Sequence, residues 1–130
     1  ELTGKWDAGK FPLIRLLAPT TPPDRMASIA ANAAGFLYIV SMTGVTGSAG
    51  LDTSHIAGLC GQVRGVTALP LCVGFGISTP DDVAAVAKVA DGVVIGSAFE
   101  RLIEDNLDKP DIADIIADRV KEYKAATVVG

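Results

Sequence analysis

Residues 70–82 read Pro-Leu-Cys-Val-Gly-Phe-Gly-Ile-Ser-Thr-Pro-Asp-Asp, and residues 92–103 read Gly-Val-Val-Ile-Gly-Ser-Ala-Phe-Glu-Arg-Leu-Ile. In the first, Leu71 to Val73 is a short apolar run that stops at Gly74-Phe75-Gly76. Ser78 or Thr79 then offers a capping oxygen, Pro80 suits the first helical position, and Asp81 and Asp82 suit the first turn. Val83, Val86, Ala87 and Ala90 recur at i, i+3, i+4 and i+7, which places an apolar stripe on that helix. In the second, an apolar run over residues 92–95 breaks at Gly96-Ser97, where a further helix opens. The two stretches form a strand, helix, strand, helix unit with glycines where each strand ends.

Glycines at such points let a backbone approach an anion closely, because no Cβ intervenes. The N–H groups of Gly76, Gly96 and Ser97, with the Ser97 hydroxyl, therefore read as a phosphate cradle. Tight turns alone are the plainer reading of any single one of these glycines. The pattern of two breaks in successive βα units is the arrangement used by the last strands of a (β/α)8 barrel.

Working outward, residues 13–18 form a mostly apolar run ending at Pro19 and interrupted by Arg15. A strand arginine either snorkels to the surface or acts as a buried charge partner. Thr20-Thr21-Pro22-Pro23-Asp24 starts a helix whose stripe is Met26, Ile29, Ala30 and Ala33; Gly35 ends it, and residues 36–40 are the next strand. Residues 42–54 make a long Gly, Ser and Thr-rich connection, where ~2–6 residues are usual in α/β units, so the segment reads as a lid or as disorder. Ile56, Leu59, Cys60 and Val63 line a third helix. His55, the only histidine, has no catalytic partner nearby in sequence and reads as a surface or capping residue. A last helix opens at Pro110 with Ile112, Ile115, Ile116, Val120 and Tyr123 on one face. Four βα units in succession define an α/β fold, a parallel (βα)4 half of a (β/α)8 TIM barrel.

Composition narrows the function. Net charge is −4 and no basic run exists, which argues against a nucleic-acid partner. No apolar run nears the ~20 residues that span a bilayer. Cys60 and Cys72 lie in apolar surroundings without CxxC spacing or a metal cluster, so free thiols in a cytoplasmic protein, and no metal, are the expectation. The 130 residues fall short of the ~200–250 of a complete barrel, and the sequence begins at Glu1. A fragment, a processed chain and a half-barrel that self-associates all remain open.

The motifs Leu-Leu-Ala-Pro-Thr at residues 16–20, Gly-Phe-Leu-Tyr-Ile-Val-Ser at 35–41 and Thr-Gly-Val-Thr-Gly at 43–47 are followed in order by Val-Gly-Phe-Gly-Ile-Ser at 73–78 and Asp-Gly-Val-Val-Ile-Gly-Ser-Ala at 91–98. With these spacings the chain resembles the C-terminal half of the tryptophan synthase alpha subunit family from residue 12 to residue 130. Residues 1–11 are left unassigned. The resemblance implies a lyase of tryptophan biosynthesis that cleaves indole-3-glycerol phosphate to indole and glyceraldehyde 3-phosphate. It implies no cofactor of its own, and as partner a beta subunit that carries PLP.

It further implies that Gly47, Gly76, Gly96 and Ser97 hold the phosphate, that Phe75 and Val94 line the indole pocket, and that Tyr38 faces the site. Thr46, on the long connection, would brace a catalytic aspartate. The family's acid/base pair of glutamate and aspartate lies in the missing half, so no catalytic carboxylate is expected here. Asp24, Asp81, Asp82, Glu100, Asp114 and Asp118 belong to helix starts and faces. The alternative function is a non-catalytic phosphate-binding half-barrel that closes its sheet by self-association. Another phosphate-binding barrel enzyme, an aldolase or isomerase, is a third reading, disfavoured for an aldolase because no strand carries a lysine.

Overall fold

Each of the four short strands is followed in sequence by a helix, and all four strands run parallel. In the computed structural model, which describes residues 11–41 and 51–128, the elements are β1 (Arg15–Leu17), α1 (Pro23–Ala31), β2 (Leu37–Val40), α2 (Thr53–Arg64), β3 (Leu71–Gly74), α3 (Pro80–Ala87), β4 (Gly92–Val94), α4 (Ser97–Glu104) and α5 (Ile112–Ala126). The sheet order is β1-β2-β3-β4, so every strand pairs with its neighbour in sequence. This is the (βα)4 pattern expected.

Alternation along the strands gives the sheet two different faces. Leu17, Leu37, Ile39, Leu71 and Val73 are wholly buried beneath the helices. They meet Met26 and Ala30 of α1, Ile56, Leu59, Cys60 and Val63 of α2, and Val83 and Val86 of α3 in one core. The opposite face carries a row of paired positions, Leu16, Tyr38, Cys72 and Gly92, followed by Val40, Gly74 and Val94. No helix of the described residues covers that second face at β1, where Leu16 is 56% exposed.

Several boundaries differ from the sequence reading. Ala18 leaves β1 because its N–H turns to the Thr21 hydroxyl at 3.1 Å. Gly35 is not the cap of α1, which ends at Ala31; it sits at φ +76° in the turn into β2, where a Cβ would come 3.1 Å from Ile14 Cδ1. Ala90 lies beyond the end of α3 at Ala87, and its N–H still reaches Val86 O at 3.0 Å. Ile95 lies beyond β4, which ends at Val94. On α5, Tyr123 is buried and donates to Ser78 O at 2.6 Å, whereas Val120 is 48% exposed rather than part of the core. Arg15 opens the three-residue β1, with its Nε buried and without a hydrogen-bond partner among the described residues. It is not among the residues that line the cleft at the strand ends. His55 is exposed at the start of α2, its N–H bonded to the Asp52 cap at 3.0 Å. Thr46 and Gly47, like most of the long connection, lie outside the described residues.

The start of α3 is closed by a capping box. Asp82 N–H donates to Thr79 Oγ1 at 3.1 Å, and the Asp82 carboxylate accepts from Thr79 N–H at 2.9 Å and Ser78 N–H at 3.1 Å. Burial pushes the Asp82 carboxyl upward, but the bonds from Ser78 and Thr79 outweigh it and hold the group below the usual aspartate range. Its folded value thus lies below its unfolded value, so the stabilisation is complete above the unfolded range and is lost as pH falls through the folded one. Asp82→Asn is expected to flatten the loss of stability between neutral pH and roughly pH 3, at a cost of about 0.5–1 kcal/mol at neutral pH. Urea unfolding at stepped pH checks this; an unchanged slope on the acid side would show that Asp82 does not set it.

Candidate functional site

The C-terminal ends of β2, β3 and β4 converge on one cleft of about 430 Å3, a size suited to a small molecule. Tyr38, Phe75, Gly76, Val94, Gly96 and Ser97 line it, which is every expected site residue that lies among the described ones. Ile77, Glu100 and Arg101 line it as well.

One wall is aromatic, and its shape depends on a missing side chain. A Cβ at Gly74 would fall on the Tyr38 hydroxyl, 2.5 Å from Tyr38 Cζ and 3.1 Å from Val94 Cβ. Only glycine lets the tyrosine lie across β3. Tyr38 meets Phe75 edge-on, with ring centroids 6.1 Å apart and planes at 82°. Burial raises the Tyr38 phenol above its ordinary value, so it stays protonated at neutral pH.

Phe75 is the only described non-glycine residue with positive φ (78°), and Gly76 follows at 72°. A bulky residue there costs about 1–3 kcal/mol and needs the surroundings to hold it. Ser41 at the end of β2 does so: its N–H donates to Gly74 O at 2.9 Å, and its hydroxyl reaches Gly74 O at 2.6 Å and also Phe75 O. The result is a half-exposed Phe75 ring at the cleft and a Gly76 backbone turned beside it.

The other wall is the start of α4. Among the described residues no side chain caps this helix, and its first helical bonds are those of Phe99 and Glu100 N–H to Gly96 O, at 2.8 and 3.2 Å. The N–H groups of Ser97 and Ala98 precede that first bond and are directed out of the helix end. The two helix starts differ: the α3 end is occupied by Asp82, and the α4 end carries no side-chain cap among the described residues. At Gly96 a Cβ would meet no atom of the described residues within 4 Å, so packing among them does not demand glycine there.

Glu100 and Arg101 were missed by the sequence reading, which counted Glu100 only as part of a helix face. The signal lay in spacing: positions three and four after Ser97 share its face of a helix. Among the described residues no group of three or more His, Cys, Asp or Glu could hold a metal ion. Cys60 and Cys72 are both free, and burial raises both thiols. No helix of the described residues is long and apolar enough to cross a membrane.

A parallel (βα)4 sheet with its cleft at the C-terminal strand ends is the architecture of half a (β/α)8 barrel. The family model described as tryptophan synthase alpha chain matches residues 2–128, and the chain belongs to that family as its C-terminal half. The tryptophan synthase alpha chain of Desulfosudis oleivorans is 69% identical over 127 residues, which cover 98% of this chain and 48% of that relative. That of Desulfatibacillum aliphaticivorans is 57% identical over the same shares. Among solved structures, tryptophan synthase subunit alpha from Legionella pneumophila matches with TM-score 0.78 and 32% identity over 94% of this chain and 44% of that one. Tryptophan synthase from M. tuberculosis in an open form matches with TM-score 0.77 and 26% identity over 98% and 47%. The chain thus spans about half the length of the curated relatives it matches.

Proposed function

We propose that residues 12–130 are the substrate-holding half of a lyase that cleaves indole-3-glycerol phosphate to indole and glyceraldehyde 3-phosphate, acting in tryptophan biosynthesis in the cytoplasm. The observation that carries this reading is the pairing, in one cleft, of an uncapped α4 start at Gly96-Ser97 with an aromatic wall of Tyr38 and Phe75. Membership of the tryptophan synthase alpha chain family supports it. In this reading the phosphate lies on the Gly76, Gly96 and Ser97 N–H groups and the Ser97 hydroxyl, with Gly47 closing from the long connection. Indole lies between Phe75 and Val94, with Tyr38 beside it.

The cleavage removes a proton from the glycerol hydroxyl, breaks the carbon–carbon bond to the ring, and returns a proton to the ring carbon. Both transfers need placed acid and base groups. This half supplies binding and orientation. The carboxylate pair belongs to the preceding half, and Thr46 braces its aspartate. The chain itself needs no cofactor; its partner is a beta subunit that carries PLP and consumes the indole.

A second reading, a phosphate-binding half-barrel that pairs with its own copy, is favoured by one observation. Both β1 and β4 pair on one side only among the described residues, and Leu16 leaves an apolar face open. A single titration addresses the shared claim. Glycerol 3-phosphate is expected to shift the amide signals of Gly76, Gly96 and Ser97 first; shifts confined to other residues at millimolar ligand would remove the site.

A further inference from the structure

We propose that Arg101 is a phosphate-binding residue that supplies the positive charge for the phosphate end of the cleft, and that Glu100 opposes it. This inference rests on the proposed function. Both residues line the cleft with Ser97, and helical spacing puts all three on one side of α4. Side chains on a helix lean towards its N-terminus, so the Arg101 stem runs back over the turn that begins at Ser97.

The charge is available. Ion pairs among the described residues join Arg64 to Asp91, Arg119 to Glu122 and Lys121 to Asp118, and none engages Arg101. Glu100, its sequence neighbour, lies in the first turn of α4, where a carboxylate favours the empty helix end. When a phosphate dianion takes that end, the same carboxylate becomes a like charge beside it. Arg101, on the next position of the same face, can offer a guanidinium fork to the phosphate oxygens. Glu100 thus steadies the cleft empty and Arg101 steadies it filled.

The test titrates glycerol 3-phosphate and, separately, indole into a complete alpha chain carrying this sequence, at low and at physiological salt. Arg101→Gln is expected to weaken glycerol 3-phosphate roughly 5- to 10-fold, a charge-assisted bond discounted for exposure. Arg101→Lys should keep most of the affinity, Glu100→Gln should tighten binding about 3-fold, and the salt dependence should fall in Arg101→Gln. Indole, which has no phosphate, should bind all four proteins alike, and their melting temperatures should agree. Equal glycerol 3-phosphate affinity in Arg101→Gln and the parent, a parallel loss of indole binding, or weaker binding in Glu100→Gln would each overturn the inference while leaving the proposed function standing. Absence of glycerol 3-phosphate binding to the parent would overturn both.

Discussion

Indole release from indole-3-glycerol phosphate is expected from these 130 residues only when the preceding half of an alpha chain is joined to them or mixed with them. The reaction needs one group to take the hydroxyl proton and another to protonate the ring, and each typically contributes ~10²–10⁴-fold. Among the described residues, Glu100 is the one carboxylate that lines the cleft, three residues after Ser97 on α4. One carboxylate does not supply both groups. The isolated chain should therefore sit at background rate, about 10⁴-fold or more below the reconstituted barrel. The edges of β1 and β4, unpaired among the described residues, are where the other half would add its strands. The assay compares the chain, the mixture and the mixture carrying a blocked phosphate end, with circular dichroism confirming that the chain alone is folded. Robust indole release by the purified chain would refute the assignment of the carboxylates to the other half.

The second large effect is expected at Gly96. Gly96→Glu brings a carboxylate to the open end of α4, where two like charges about 4 Å apart at an effective dielectric of ~20 repel by about 4 kcal/mol, roughly a thousandfold in affinity. Screening at an open cleft reduces this, so a loss of at least about 100-fold in glycerol 3-phosphate affinity is expected. Because a Cβ at Gly96 meets no atom of the described residues within 4 Å, the fold should tolerate the change, and the melting temperature should stay within a few degrees. Gly96→Ala separates the two causes: it adds bulk without charge and should weaken binding by about 10-fold through lost close approach. Calorimetric titration reads both. Full affinity in Gly96→Glu would place the anion elsewhere.

Local chemistry made the architecture readable in advance. The α3 cap is written as Ser-Thr-Pro-Asp-Asp, and Thr79 and Asp82 form it because each needs only neighbours three residues away. The glycine breaks at Gly76 and Gly96 marked the strand ends for the same reason. What escaped the sequence depends on partners distant along the chain. Phe75 adopts positive φ because Ser41, 34 residues earlier, holds its carbonyl, and nothing in Gly-Phe-Gly announces which residue will bend. Val120 obeys the helical stripe yet remains exposed, since what a stripe faces depends on the element beside it. Arg101 could be placed on the face of Ser97, but only the turn of α4 over the strand ends brings that face to the cleft.

The overlap of the Tyr38 ring with the vacant position above Gly74 ties two sites in different strands into one heritable unit. A lone Gly74→Ala evicts the phenol, and a lone Tyr38→Ala opens a void beside bare backbone. Substitution at both can restore contact with the large and small partners exchanged. A double-mutant cycle across the pair should therefore be strongly non-additive, by about 1–3 kcal/mol. In any lineage carrying this wall, the cleft can change its shape by paired steps more readily than by single ones.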